Sequence, residues 1–184
     1  MSAAVLLDQP KFARNVGASL RAVSCYGGDG LWFTGDRIGL EGLKRLPREE
    51  RMRAFRETNW HQLRGADEGR PVDAIQRQTK RTYTPVAVEL LPGTEPLHLF
   101  DHPDDALYLF GPEDDTLPAG IRSTCHRFVT IPSFHCLNLA AAVYTVLYDR
   151  MAKRVAAGLE EPPDVSEEDR GWWHDAALEG DELG

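Results

Sequence analysis

The sequence predicts a single α/β domain built on a mainly parallel sheet. A chain of 184 residues with 42% hydrophobic content can bury one sizeable core but not two. Short apolar runs bounded by turn residues alternate with segments of helical periodicity, and this alternation is typical of β-α-β units. The longest helical pattern, residues 137–155, places Leu139, Val143, Val146 and Leu147 on one apolar face.

The first elements form a β-α-β unit. Residues 4–7 are a short apolar run that predicts a buried strand. Residues 13–25 have helical spacing and lead into Gly27, so they predict a helix that ends at a glycine. A second strand is predicted at residues 31–34, which completes the unit with a right-handed crossover.

The middle of the chain is more polar than its two ends. Residues 43–58 have a polar helical pattern, and residues 65–81 are predicted to be a charged loop. Three further strands are predicted at residues 85–91, 106–110 and 128–131, because each run is apolar or alternating and stops at a glycine or a proline.

The net charge of −8 is concentrated at the C-terminal end. Residues 160–184 contain ten acidic residues and one arginine, a net charge of −9, whereas residues 1–159 carry +1. The composition therefore divides the chain into a domain at residues 1–158 and an acidic tail at residues 159–184, which we expect to be flexible or only locally ordered. The adjacent tryptophans at 172–173 are expected to pack on the domain or on a partner subunit.

One internal segment is a candidate for phosphate binding. Residues 37–81 hold twelve basic and seven acidic side chains, a local charge of +5. If the protein binds phosphate, this segment is the favoured place. A solvated, salt-bridged helical surface explains the same charges equally well.

The cysteines, the histidines and the hydropathy of the sequence argue against a disulfide-bonded, metal-binding or membrane-spanning protein. The three cysteines are far apart and odd in number, so they are expected to be reduced, and no histidine spacing predicts a metal site. No apolar run approaches the roughly 20 residues that span a bilayer, and the start of the chain is unlike a signal peptide. We therefore expect a cytoplasmic protein with no membrane partner.

The glycines at 27–30 follow a predicted helix, whereas the phosphate-binding glycines of a Rossmann fold precede one. This order argues against a Rossmann-type oxidoreductase.

Three separated segments are the best candidates for a site. They are residues 15–22 followed by Gly27, residues 107–113 on a strand and its turn, and residues 131–139 before the last helix. In this order and spacing they resemble the three motifs of the TrmH-type, SPOUT-class methyltransferases, which transfer a methyl group from S-adenosylmethionine to a ribose 2′-hydroxyl of RNA. The resemblance covers roughly residues 3–155.

The resemblance implies a C-terminal deep trefoil knot, a homodimer and S-adenosylmethionine as cofactor. It places the cofactor near Leu90, Gly111, Ile131 and Cys136. The family usually has serine where this chain has Cys136. Because a thiol is a poorer hydrogen-bond donor than a hydroxyl, contacts through this side chain are expected to weaken, while contacts through its backbone amide persist.

The same resemblance assigns Arg21, Asn15, Glu113 and Asn138 to the catalytic site. Arg21 matches the family's proposed catalytic residue and is expected on the same general side of the first helix as Asn15. A guanidinium stays protonated, so Arg21 acts either as an unusual base or as a clamp on the target phosphate. Glu113 is expected to orient Asn15 or Arg21. Asn138 either joins the site or only caps the last helix.

The predicted activity is 2′-O-ribose methylation of RNA. A tRNA substrate is favoured by analogy with the smallest family members, because no separate RNA-binding domain is evident. Two alternatives stay open, namely a ribosomal RNA 2′-O-methyltransferase and a non-catalytic RNA-binding dimer on the same knotted fold. Cys136 and the acidic tail favour the non-catalytic dimer, whereas the presence of all four polar site residues argues against it.

Overall fold

The computed structural model describes residues 2–39 and 58–164. In chain order the elements are β1 (Ser2–Leu7), α1 (Ala13–Cys25), β2 (Gly30–Phe33), β3 (Asn59–Gln62), α2 (Ala66–Gly69), α3 (Pro71–Thr79), β4 (Thr84–Val88), β5 (Glu95–Pro96), a 3₁₀ turn (Leu97–Leu99), β6 (Asp105–Phe110), α4 (Ala119–Arg122), β7 (Arg127–Thr130) and α5 (Leu139–Ala156).

Within residues 2–39 and 58–164, seven strands form one sheet in the order β3-β2-β1-β6-β4-β7-β5. Every strand pair in the described chain is parallel, so the predicted α/β fold with a mainly parallel sheet is confirmed. In the register, Leu7 of β1 is aligned with both Phe33 and Phe110. The carboxyl ends of the strands therefore meet at one edge, called here the carboxyl edge of the sheet.

The sheet is buried on both faces. All six residues of β1 are buried, as expected for a central parallel strand. On one face, α1 packs against α5, and both helices contribute to a core cluster that includes Leu20 and Val146. On the other face, α3 contributes Ile75 to a second cluster with Trp32 and Leu107. The domain is thus a three-layer structure with the sheet in the middle.

Two predicted helices are observed in the described chain with small differences. Helix α1 has the predicted bounds, and Gly27 follows it with φ of +64°, a backbone conformation that favours glycine. Helix α5 begins at Leu139, two residues after the predicted start. The delay has a local cause, because the Asn138 side chain accepts hydrogen bonds from the backbone N–H groups of Ala140 and Ala141 and so caps the helix.

The predicted loop at residues 65–81 is wrong. This segment forms α2 and α3, and α3 begins with Pro71, which suits the first turn of a helix. Its many charges obscured an apolar face, since Val72, Ala74 and Ile75 are buried. Strand β3 was also not predicted, because its Asn-Trp-His-Gln sequence is polar and only half-buried.

Several sequence predictions fall outside the described residues. They include most of the polar helix at 43–58, the tail beyond residue 164 and the two tryptophans. The domain boundary after residue 158 stays a prediction. In the described ranges, no helix combines the length and the apolar composition that a membrane span requires.

Candidate active site

A cleft of about 270 Å³ opens at the carboxyl edge of the sheet. Its walls come from the ends of β4, β6 and β7 and from the start of α5. Leu90, Gly111, Ile131 and Cys136, the four residues assigned to the cofactor from the sequence, all line this cleft. The fold therefore brings together four residues from three separate loops.

Gly111 allows the chain after β6 to turn back tightly. A Cβ atom at this position would lie 2.9 Å from the backbone nitrogen of Leu117 and 3.1 Å from the carbonyl carbon of Thr116. Both neighbours are backbone atoms, so any side chain here would push the turn outward. Glycine at 111 thus keeps residues 112–117 against the cleft.

Asn15, Glu113 and Asn138 form a continuous chain of hydrogen bonds next to the cleft. The Asn15 Nδ2 donates to Glu113 Oε1 at 2.5 Å, and Asn138 Nδ2 donates to Asn15 Oδ1 at 3.1 Å. Asn15 is only 3% exposed. Asn138 caps α5 through its oxygen and contacts Asn15 through its nitrogen, so the two interpretations of this residue are compatible.

The turn that carries Glu113 is fastened to two other loops. Glu113 Oε2 accepts the backbone N–H of Lys11 at 2.7 Å. Arg37 donates hydrogen bonds from Nη1 and Nη2 to the two carboxylate oxygens of Asp114, at 2.9 and 2.7 Å. Lys11 Nζ lies 3.3 Å from the same carboxylate. The hydrogen bond from Arg37 and the two nearby cations hold the pKa of Asp114 well below its usual range. Arg37, in the segment proposed for phosphate binding, is therefore occupied by a carboxylate.

Arg21 does not join this chain of hydrogen bonds. It is exposed, whereas Asn15 is buried, and it is not among the residues that line the cleft. Six residues at about 100° each leave the two side chains about 120° apart around the helix. The expectation that Arg21 and Asn15 share one side of α1 is therefore wrong. The charge of Arg21 instead acts on Tyr144 of α5, where it opposes the burial that raises the pKa of that tyrosine.

Glu89 also lines the cleft, although the sequence did not predict it as a site residue. This half-buried residue follows β4, and its Oε1 accepts the backbone N–H of Leu117 at 2.6 Å. Burial raises the pKa of Glu89, while hydrogen bonds from backbone amides and the charge of Arg122 act in the opposite direction. The signal in the sequence was a single carboxylate between the apolar residues Val88 and Leu90.

The cleft combines apolar walls with negative charge. Glu89, Glu113 and Asp115 line it, and no lysine or arginine does so among the described residues. An anionic, largely apolar cleft is suited to a cationic ligand that also has apolar parts.

Solved structures that share this fold include RNA-modifying enzymes. The SpoU methyltransferase AviRb from Streptomyces viridochromogenes aligns with a TM-score of 0.71 and 22% identity, over 85% of this chain and 61% of that chain. An rRNA methyltransferase from Sinorhizobium meliloti, bound to S-adenosylmethionine, aligns with a TM-score of 0.66 and 21% identity over 83% and 56%. The A. aeolicus TrmH/SpoU tRNA modifying enzyme gives a TM-score of 0.69 and 19% identity over 100% and 90%.

Residues 2–148 match the model of the SpoU rRNA Methylase family, and the chain belongs to this family. The resemblance stated from the three motifs is thereby confirmed. Enzymes of the family use S-adenosylmethionine. The chain spans about 60% of the length of the AviRb structure and less of the S. meliloti enzyme. Sequence comparison with curated proteins gives no match.

The cleft is chemically suited to S-adenosylmethionine. The cofactor is cationic, because its sulfonium and ammonium groups outweigh one carboxylate, and the cleft is lined by three carboxylates and, in the described chain, by no basic side chain. Apolar residues such as Leu90 and Ile131 offer surface for the adenosyl part, and Gly111 allows close approach to the backbone.

Proposed function

We propose that this protein transfers the methyl group of S-adenosylmethionine to a ribose 2′-hydroxyl of RNA. The observation that carries the proposal is the Asn15–Glu113–Asn138 chain beside the cleft that contains Leu90, Gly111, Ile131 and Cys136. When bound, the cofactor supplies a methyl group activated by a sulfonium. The protein therefore has mainly to align a hydroxyl with that methyl and to assist loss of a proton.

Asn15 and Asn138 are the proposed aligning groups. Each amide uses one of its two N–H donors within the described chain, so each has one donor left for the substrate. Glu113 holds the Asn15 amide and the backbone of Lys11, which makes it a positioning residue. The backbone amide of Cys136 is proposed to bind the cofactor, a role that does not depend on its thiol.

Arg21 is proposed to act in the cleft of a partner subunit. Arg21 is exposed on the helix pair α1–α5 and does not join the Asn15–Glu113–Asn138 hydrogen bonds of its own subunit. A homodimer that joins these helices would bring Arg21 to the second cleft, where we propose that it clamps the phosphate beside the target ribose. The exposed Phe134, Leu137 and Tyr148 support such an interface. We also propose the family's trefoil knot, formed where the chain passes between the ends of β4, β6 and β7.

The proposed RNA is a tRNA. The alignment with the A. aeolicus tRNA modifying enzyme extends over 90% of that chain, and another neighbour, described as acting on C/U34 of tRNA, is matched over 97% of its length with a TM-score of 0.67. Ribosomal RNA is the second candidate, since the family description and the S. meliloti neighbour both name it. Mass spectrometry of nucleosides from purified tRNA and rRNA, with and without the gene, distinguishes them.

The Arg21→Ala variant tests the catalytic assignment. Loss of a charge-stabilising group is expected to lower methyl transfer by at least about 10²-fold. The affinity for S-adenosylmethionine, measured by calorimetry, should stay unchanged, and Arg21→Lys should recover part of the rate if a point charge suffices. Arg127→Ala removes an arginine at the start of β7, where it pairs with Glu95 outside the cleft and outside residues 37–81, and is the control. Wild-type transfer by Arg21→Ala would show that this residue is not catalytic.

Mixed dimers test the composite site. If Arg21 acts across the interface, a dimer of one Arg21→Ala subunit and one Glu113→Ala subunit contains one complete site. Such dimers should have about half the wild-type rate, although each variant alone is nearly inactive. Inactive mixed dimers would place Arg21 in the cleft of its own subunit, and a monomer by light scattering would remove the composite site altogether.

A further inference from the structure

Glu89 is one of three carboxylates that line the cleft in the described chain, and it is partly buried. The other two are either occupied or exposed: Glu113 accepts hydrogen bonds with both oxygens, and Asp115 is exposed and binds the adjacent backbone N–H of Thr116. Glu89 is half-buried and held in place through Leu117. Solvent screens a partly buried charge less than an exposed one, so the field of Glu89 in the cleft is stronger than that of Asp115. Glu113 is partly buried as well, but its two oxygens are engaged by the Asn15 amide and the Lys11 N–H.

The transfer reaction changes the charge of the molecule in the cleft. The S–CH₃ bond breaks with its electron pair going to sulfur, an O–CH₃ bond forms, and the hydroxyl proton leaves to a base or to water. The sulfonium thereby becomes a neutral thioether. S-Adenosylmethionine carries a net charge of about +1 at neutral pH, whereas the product S-adenosylhomocysteine is neutral overall.

We propose that the carboxylate of Glu89 makes the cleft select S-adenosylmethionine over S-adenosylhomocysteine by charge. This inference rests on the proposed methyl transfer and adds a specificity-determining residue to it. An anion beside the cleft stabilises the cationic cofactor and does nothing comparable for the neutral product. Glu89 therefore favours cofactor binding and, after transfer, product release.

The loss of charge during transfer also determines which kinetic constant Glu89 controls. Positive charge leaves the sulfur as the transition state is reached, so the carboxylate stabilises bound cofactor more than it stabilises the transition state. Removal of the charge should therefore raise KM for the cofactor without lowering kcat. A residue with a purely structural role would not separate the two constants in this way.

The test is calorimetric titration of the full chain with each of the two ligands, S-adenosylmethionine and S-adenosylhomocysteine. Glu89→Gln keeps an oxygen that can accept the Leu117 N–H but removes the charge. We expect the ratio of the two dissociation constants, which expresses the preference for the cofactor, to fall by about tenfold. This is the lower end of what one opposite charge within about 4–6 Å does to a charged group. Glu89→Asp keeps the charge and should keep most of the preference.

A matched control removes a carboxylate elsewhere. Glu95 lies on β5, pairs with Arg127 at 3.0 Å and does not line the cleft, so Glu95→Gln should leave the ratio unchanged. An unchanged ratio in Glu89→Gln, with wild-type thermal unfolding, would overturn the inference while leaving the proposed function intact. If the wild-type protein binds neither ligand, the proposed function fails and the inference fails with it.

Discussion

The two ends of the sheet each contain a polar network, and the networks differ in how far the residues at their centres use their hydrogen-bonding groups. At the carboxyl edge, Asn15 and Asn138 keep one N–H donor each after all described contacts are made. At the other end, the ring of His102 is bonded at both nitrogens, to Tyr108 at 2.6 Å and to Asp149 at 2.8 Å. Burial of polar groups therefore does not by itself indicate a site.

The network around His102 also includes hydrogen bonds from side chains of α5 to backbone carbonyl oxygens. Arg150 donates to the carbonyl oxygens of Ser2, Pro103 and Asp104, and Lys153 donates to two carbonyls near the 3₁₀ turn. These contacts join α5 to the loop before β6 and to the start of β1. We therefore propose that the His102 network serves stability and that the Asn15 network serves function, and this division can be tested.

The largest effect is expected for Glu113→Ala. The Asn15 amide and the Lys11 backbone both lose their acceptor, and a displacement of an aligning group by about 1 Å can cost about 10²-fold in rate. We expect methyl transfer to fall by about this factor, while the free energy of unfolding in urea changes by only about 1–2 kcal/mol.

Asp114→Ala is the control for Glu113→Ala, because it removes the neighbouring carboxylate of the same turn. Asp114 pairs with Arg37 and Lys11 but does not contact Asn15. Its variant should keep methyl transfer within a few fold of wild type. Equal losses in both variants would mean that the charge of the turn matters and that the contact with Asn15 does not.

The opposite pattern is expected for Asp149→Ala. Removal of this carboxylate leaves the Nε2–H of the buried His102 ring without its acceptor and deprives Lys153 of its ion pair. We expect the free energy of unfolding to fall by about 1–3 kcal/mol, with unchanged methyl transfer at a temperature where the variant is folded. Asp149→Asn keeps an acceptor and should lose less. A loss of transfer in folded Asp149→Ala would contradict the division between the two networks.

The sequence predicted the carboxyl edge better than the opposite end. The cleft residues follow apolar strands, and Gly111, Ile131 and Cys136 also belong to segments that resemble family motifs, so these three and Leu90 could be grouped from the sequence. His102 lies in a run of Asp and Pro that is typical of a turn. Its partner Asp149 is 47 residues away, and no local pattern joins the two.

The wrong predictions came from rules that compare only neighbouring residues. Counting charges predicted a loop where Val72 and Ile75 bury one face of α3. A shared helix suggested a shared side for Asn15 and Arg21, although their angular separation is about 120°. Glu89 was not predicted because its position in the cleft depends on Leu117, which approaches it only through the turn after Gly111. Helix geometry decided the case of Arg21, and long-range packing decided the other two.

The smallest expected effect is the response of the His102 network to pH. Burial lowers the pKa of His102, as do the charges of Lys153 and Arg150, and these effects outweigh the hydrogen bond and charge of Asp149. The neutral ring donates from Nε2 to Asp149 and accepts the Tyr108 hydroxyl at Nδ1, and a protonated ring would lose that acceptor. The folded protein therefore binds this proton less readily than the unfolded chain, whose histidines titrate near 6.5. It follows that the stabilisation by the neutral His102 ring is fully present above about pH 6.5. It is lost as the pH falls toward the pKa of the folded state, by at most about 1.4 kcal/mol per pH unit.

Urea unfolding of wild type and of His102→Gln between pH 5 and 8 measures this effect. The free energy of unfolding of the variant should depend less steeply on pH than that of wild type. His98→Gln, which removes an exposed histidine of the 3₁₀ turn, should keep the wild-type slope. An NMR titration that places the His102 pKa above 6.5 would reverse the expected sign and make the ring a charged partner of Asp149.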